Sequence, residues 1–312
     1  MRAALVTIHY KNLDDTLTLL MSLSKAKVPE KHEVKIYVVD NENSQDLKEE
    51  LNKNFPDAIL LVSPGNLGFA AGNNLGLKRA MNDGAKLLIA INNDTFVGKD
   101  FFKNIFESPI LEKSVGAIGG LLYFAPGFEF NQNYSKRDLG KVVWYAGGTI
   151  DWDNVLCSNA NVDEIDQGQY RKPENTDFVT GALLITKTEV LKKVGLFDEK
   201  YFMYLEDVDL CHRIKLAGYK LLFDPKIKLW HKVGRASAIG SPLNDYFITR
   251  NRLYFGSKYA RPRTRFALFR EAIRKIFTGT PAQKKAITDY FTGKMGWGTF
   301  KIDQTKSTHN II

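Results

Sequence analysis

Cysteine is almost missing from this chain of 312 residues, with only Cys157 and Cys211, far apart and at no metal-binding spacing. That argues against a disulfide framework or a structural zinc site, and two reduced thiols in a cytosolic protein are expected. No apolar run approaches the ~18–20 residues that a membrane-spanning helix needs. The first ten residues, Met1 to Tyr10, are too short and too β-branched for a signal peptide and carry no small-residue cleavage site. The Gly-x-Gly-x-x-Gly turn of a dinucleotide site is also missing. Its place after the first apolar run holds His9-Tyr10-Lys11-Asn12. No P-loop signature, internal repeat or low-complexity tract occurs.

The composition that is present, 44% hydrophobic and 25% charged, is that of a folded protein. Its 44 Lys and Arg against 35 Asp and Glu give a net charge of +9. An excess of that sign points to an anionic partner: a phosphorylated ligand, nucleic acid or a membrane surface. The excess is local. Residues 249–301 hold 13 Lys and Arg but only Glu271 and Asp289, a net of +11, so the rest of the chain carries about −2.

Apolar runs at 3–10, 34–41, 58–63 and 85–92 read as strands. They alternate with helical stretches from Asn12 to Lys27, from Ser44, and from Asn66 to Asn82. That alternation predicts βαβ units and a mostly parallel sheet, whose carboxyl-terminal strand ends are the expected ligand site. Those ends carry Asp40-Asn41, the stretch Gly65–Gly76 and Asn92-Asn93-Asp94. Strands are also expected at Val115–Phe124 and Ala182–Thr186, and a hairpin or bulged ribbon at Trp144–Trp152. Helices are expected at Lys187–Val194, Glu206–Ala217 and Asn244–Tyr259, the last broken by Pro262.

Three stretches carry possible chemistry. The four glycines of Gly65–Gly76 allow close backbone approach to a ligand, with a helix amino terminus favouring phosphate; tight helix–sheet packing explains them equally well. Asp94, at the end of a strand, suits a divalent cation on a diphosphate, or a helix cap with Thr95. Glu206, Asp207 and Asp209 are either acids favoured by a helix amino terminus or a general base beside the cation site. His231 gains weight as a ligand only beside such a site.

Taken together and in order, Val6–Tyr10, Val38–Asn41, Gly65–Phe69, Asn92–Thr95, Val179–Ala182, Gly195–Glu199, Glu206–Leu210 and Trp230-His231 closely resemble family-2 inverting glycosyltransferases of the GT-A fold. Bacterial rhamnosyltransferases and galactofuranosyltransferase-like enzymes of cell-surface polysaccharide assembly are the nearest subgroup. The resemblance covers roughly residues 3–255. It implies an α/β domain over 1–260, with a Rossmann-like, mostly parallel sheet and a smaller acceptor-side region. A basic helical region follows over 261–312.

The resemblance also assigns roles. Thr7 and Asp40 would meet the base and ribose of a nucleotide-sugar donor. Asn66, Gly68 and Asn73 would line its diphosphate channel. Asn92 and Asp94 take the outer places of the D-x-D motif, with Asp94 and His231 holding Mg2+ or Mn2+. Asp207 would be the catalytic base. Asn92 departs from the pattern by replacing the first carboxylate, which removes one negative charge from the cation site. The donor it implies is dTDP-L-rhamnose, with a UDP-sugar as the alternative, and the acceptor a glycan or lipid-linked glycan.

Trp144, Tyr145 and Trp152 are either an acceptor platform or a packed hairpin. Over Arg263–Phe277, Phe266, Phe269, Ile273, Ile276 and Phe277 fall near one helical face, with Arg263, Arg270, Arg274 and Lys275 largely opposite. A second short helix is read at Ala282–Phe291. This pattern suits peripheral contact of residues 261–295 with an anionic membrane, at the inner face of the cell membrane, or packing on the body or a second subunit. Two other readings compete with this one. Nucleic-acid binding would explain the basic segment but not an acidic body carrying Asp94, Glu206, Asp207 and Asp209, so no nucleic-acid partner is expected. A catalytically dead nucleotide-sugar scaffold would not retain Asp94, Asp207 and His231.

Overall fold

The computed structural model describes residues 1–131, 133–233 and 241–300; Lys301, counted in the basic segment, and the rest of 301–312 lie outside them. Strand β1 (Arg2–His9), helix α1 (Leu13–Ser24), β2 (Glu33–Asp40), α2 (Gln45–Asn54), β3 (Ile59–Val62), α3 (Gly68–Asn82) and β4 (Leu87–Ile91) follow the expected alternation. Asn12 and Ser44 cap α1 and α2, each side-chain oxygen accepting from an amide in the first turn. Strands β1, β2, β3 and β4 pair in parallel, in the order β3-β2-β1-β4.

The other half of the sheet comes from later chain. β5 (Thr95–Val97), α4 (Phe101–Phe106), β6 (Val115–Phe124), β7 (Val143–Tyr145), β8 (Gly148–Asp151), β9 (Leu156–Asn159) and β10 (Glu174–Asn175) are followed by β11 (Leu183–Lys187) and α5 (Thr188–Val194). Then come α6 (Glu206–Leu216), β12 (Lys220–His231), α7 (Pro242–Tyr259), α8 (Pro262–Thr278) and α9 (Pro281–Phe291). β11 runs antiparallel between β4 and β6, and β12 lies parallel to β6. Every residue of β4 and β6 is buried, as unbroken apolar runs in central strands require.

Two expectations change. Trp144–Trp152 is not one hairpin: β7 pairs with β6 in the main sheet, while β8 pairs with β9 in a separate two-stranded sheet. The short apolar strand expected before His231 is instead the end of the 12-residue β12. Asp224 and Pro225 interrupt the pattern, but a register shift between Asp224 and Lys228 absorbs them and pairing resumes. Pro262 ends α7, and it also opens α8, where a missing amide costs nothing.

Helix α3 lies against β1 and β2 with very small separation. A Cβ on Gly76 would sit 2.3 Å from Val6 Cγ1, so only glycine fits there. Part of the glycine-rich stretch is therefore a packing device.

Candidate active site

The strand ends converge as the alternation predicts. Thr95 and His231 are register partners in β5 and β12, which sets Asp94 beside His231. Asp94 Oδ1 lies 3.0 Å from His231 Nε2, with 27% and 7% of the side chains exposed. The contact is not aligned as a hydrogen bond: among the described residues, Asp94 Oδ1 has no hydrogen-bond partner, and neither has His231 Nδ1. Two adjacent ligands on an octahedral divalent cation, each ~2.1 Å from it, stand ~3 Å apart. The pair therefore fits a cation better than it fits a hydrogen bond. No group of three His, Cys, Asp or Glu side chains suited to a metal occurs among the described residues. A cation here would draw its remaining oxygens from phosphates and water, as Mg2+ commonly does. Trp144 packs edge-on against the His231 ring, with centroids 4.4 Å apart. Of the three candidate platform residues it alone adjoins the pair. Tyr145 is fully buried with its hydroxyl donating to the Phe178 carbonyl, and Trp152 stacks on Phe255.

Asp207 stands in the first turn of α6, partly exposed. Its Oδ2 accepts from the Gly181 amide at 2.7 Å and its Oδ1 from the Val208 amide at 2.8 Å. The carbonyl of Ala182, one residue on, accepts from the Asn92 amide at 3.2 Å, so the base candidate and the Asn92–Asp94 turn share one strand junction. Burial raises the Asp207 carboxyl above the ordinary aspartate value, against the pull of its two amides. Glu206 beside it is 5% exposed, and its Oε2 has no hydrogen-bond partner. Burial and the neighbouring Asp207 push its carboxyl well up. Both carboxyls are pushed up by burial, but only Asp207 has amides on both of its oxygens, which divides the two by environment. Asp209 is different. It is fully buried and takes Arg213, Lys258, Tyr201 and Tyr259 as partners, so it anchors α6.

The loop before α6 is strained. Phe202, Tyr204 and Leu205 have φ of +66°, +66° and +70°, a left-handed conformation that side chains disfavour. Helix α7 holds it there. Asn251 Nδ2 donates to the carbonyls of Tyr201, Met203 and Tyr204 at 3.0, 2.7 and 2.9 Å. The fully buried Arg250 adds a bond to the Tyr201 carbonyl at 3.1 Å. The Phe202 carbonyl in turn accepts from the Phe69 and Ala70 amides at the start of α3, and the Phe202 ring covers Gly68, whose φ is +73°.

That last contact bears on the glycine-rich stretch. The amides at the start of α3 are not open to a phosphate, because Phe202 takes two and the Asn66 side chain takes that of Gly68 at 2.9 Å. Gly68 is a close-approach position under an aromatic ring. The other nucleotide-end candidates are likewise held within the protein. Thr7 is fully buried, and Asp40 is 1% exposed with its carboxylate oxygens accepting from the Glu42 and Ser44 amides. Asn73 is 2% exposed and donates to the Phe69 carbonyl.

Sequence reasoning missed Arg250 and Asn251, which are buried polar residues inside an ordinary helical pattern. It also missed a polar chain joining three strand ends. Asn93 donates to Thr16, Thr16 bonds His9 at 2.9 Å, and His9 bonds Glu42 at 3.1 Å. The histidine closing the first strand was the available signal.

A family model described as glycosyltransferase like family 2 matches residues 4–256. The dTDP-rhamnosyl transferase RfbF of Shigella flexneri is 25% identical over 224 residues, 69% of this chain and 68% of that protein. The N-acetylglucosaminyl-diphospho-decaprenol L-rhamnosyltransferase of Mycobacterium tuberculosis is 23% identical over 206 residues, 64% of this chain and 66% of that one. The chain thus spans about two thirds of the length of these relatives. Among solved structures, GalNAc-T7 with UDP, GalNAc and Mn2+ superimposes with a TM-score of 0.59 at 17% identity, over 90% of this chain and 58% of that one. With the family match spanning most of the sequence and the same fold in that neighbour, the chain belongs to the family-2 glycosyltransferases.

Proposed function

We propose that this glycosyltransferase is an inverting, cation-dependent enzyme that moves L-rhamnose from dTDP-L-rhamnose to a glycan or lipid-linked glycan acceptor. The observation that carries the cation is the Asp94–His231 pair, close in space yet unaligned for a hydrogen bond. The named activities of RfbF and of the mycobacterial relative favour rhamnose. The runner-up donor is a UDP-sugar, favoured by the ligand named for GalNAc-T7.

In this reading Asp207 takes the proton of the acceptor hydroxyl as its oxygen attacks the anomeric carbon. The bond from that carbon to the diphosphate breaks in the same displacement, so the configuration inverts and no protein nucleophile is needed. Glu206 is buried beside it, while Asp207 is the partly exposed carboxylate of the two and has both oxygens held by amides. Asp94 and His231 would hold Mg2+ or Mn2+, which when bound supplies positive charge to the leaving diphosphate. Asn92 adds a neutral polar group beside them. Thr7, Asp40, Asn66, Gly68 and Asn73 shape the nucleotide end of the cleft, with Asp40 and Asn66 ordering its loops through their amide bonds.

The test is thermal shift with Mn2+ across a panel of nucleotide sugars. Dissociation constants set the expected gain: ligand at about 100 times Kd adds ~2.7 kcal/mol. The largest rise is expected with dTDP-L-rhamnose. A larger rise with a UDP-sugar would move the assignment to the runner-up, and no rise with any nucleotide sugar would remove the reading.

A further inference from the structure

Helix α8 was expected to present an apolar face to the body or a membrane, with its arginines opposite. Its inner side is Thr264, Leu268 and Ala272, all buried. Its outer side mixes the two characters. Phe266, Ile273 and Phe277 form one stripe and are 71%, 56% and 76% exposed. Arg270 lies within that stripe, and Arg263 and Arg274 flank it, all exposed. The two acids of the region are unavailable to this face. Glu271 is paired with Arg252 and Lys275 on the inner side, and Asp289 is fully buried with Tyr246 and Thr299. Phe269 continues the apolar character towards α9 by packing on Phe291, itself 56% exposed.

We propose that this face of α8 lies on an anionic lipid surface, with Phe266, Ile273 and Phe277 entering the headgroup boundary and Arg263, Arg270 and Arg274 among the phosphates. From Phe266 to Phe277 the stripe runs about 16 Å at 1.5 Å per residue, long enough to lie flat in the interface. Large exposed aromatic residues beside unpaired arginines suit a partner both apolar and anionic, and a lipid headgroup layer is one. A second copy of the chain fits less well. A two-fold contact would bring the same arginines together with no acid on the face to answer them. The inference does not depend on the donor or on Asp207.

The test uses the full chain and sedimentation with vesicles of phosphatidylcholine alone or mixed with phosphatidylglycerol. Binding is expected only with phosphatidylglycerol and should weaken with salt. The triple variant Arg263→Gln, Arg270→Gln, Arg274→Gln should lower partitioning by roughly 100-fold. The double variant Phe266→Ser, Phe277→Ser should lower it by at least ~10-fold at unchanged phosphatidylglycerol content. Both change exposed side chains, and circular dichroism confirms their folding. Equal partitioning of wild type and variants, or no binding to phosphatidylglycerol vesicles, would overturn the proposal. So would a concentration-dependent dimer in analytical ultracentrifugation that the same variants abolish, because the face would then belong to a second copy.

Discussion

Two adjacent carboxyls, Glu206 and Asp207, show how much a residue's surroundings decide. Both were visible in the sequence as acids at a helix start, where the dipole and a general base were equally open readings. What separates them is the pair of amides from Gly181 and Val208 on Asp207 and their absence from Glu206 Oε2. Asp207→Asn is expected to leave donor affinity nearly intact and to lower turnover by ~10²–10⁴. Titration calorimetry beside a rate assay checks this, and wild-type turnover would remove Asp207 from the mechanism. Because Asp207 must lose its proton to act, the acidic limb of the kcat/KM profile should lie above the ordinary aspartate range. The raised carboxyl of Glu206 bears on stability. Its folded value lies above the unfolded one, so its contribution is fully present below the unfolded value and is lost as pH rises towards the folded one. Glu206→Gln should therefore lose less Tm than wild type between pH 4 and 8, and an equal loss in both would refute the upward shift of the buried carboxyl. The pairing of Asp94 with His231, 137 residues apart in sequence, was legible only through resemblance, since spacing carries no information at that distance.

At the scale of elements, most helices and strands of the first hundred residues could be read directly. The apolar period, the helix starts at Asn12 and Ser44 and the strand-end polar residues agreed with one another there. The later part was less legible because its pairing is non-local. β11 inserts antiparallel between β4 and β6, and the Trp144–Trp152 ribbon divides between two sheets. The clamp from α7 onto the 201–205 loop is of the same kind, invisible until the helix is placed. Asn251→Ala would remove a donor from the Met203 and Tyr204 carbonyls, while that of Tyr201 keeps Arg250, costing ~1–3 kcal/mol by urea unfolding. It should also lower kcat more than it raises the donor KM, because the strained loop leads into Asp207. An unchanged kcat in a folded but less stable variant would show that α7 supports the fold alone. Gly76→Ala tests the helix–sheet approach. With 2.3 Å to Val6 Cγ1, overpacking should cost ~1–3 kcal/mol, and a Tm equal to wild type would mean the helix can move away.

For the whole molecule, the net charge of +9 resolves into parts with different work. The near-neutral body offers a carboxylate and a histidine at its strand ends, and Phe202 and Asn66 occupy the amides at the start of α3. The basic excess sits largely on the helices that follow. These are not loosely attached: α9 buries Ala286, Ile287 and Asp289, and Tyr246 of α7 bonds Asp289. The central claim is that one protein site, built on Asp94, His231 and Asp207, transfers a sugar from a nucleotide donor with the help of a divalent cation. The most direct measurement is dTDP release from dTDP-L-rhamnose, followed in Mn2+, after EDTA, and after Mn2+ is restored. The account predicts release in Mn2+, its loss in chelator and its full return. Undiminished release in EDTA would contradict it.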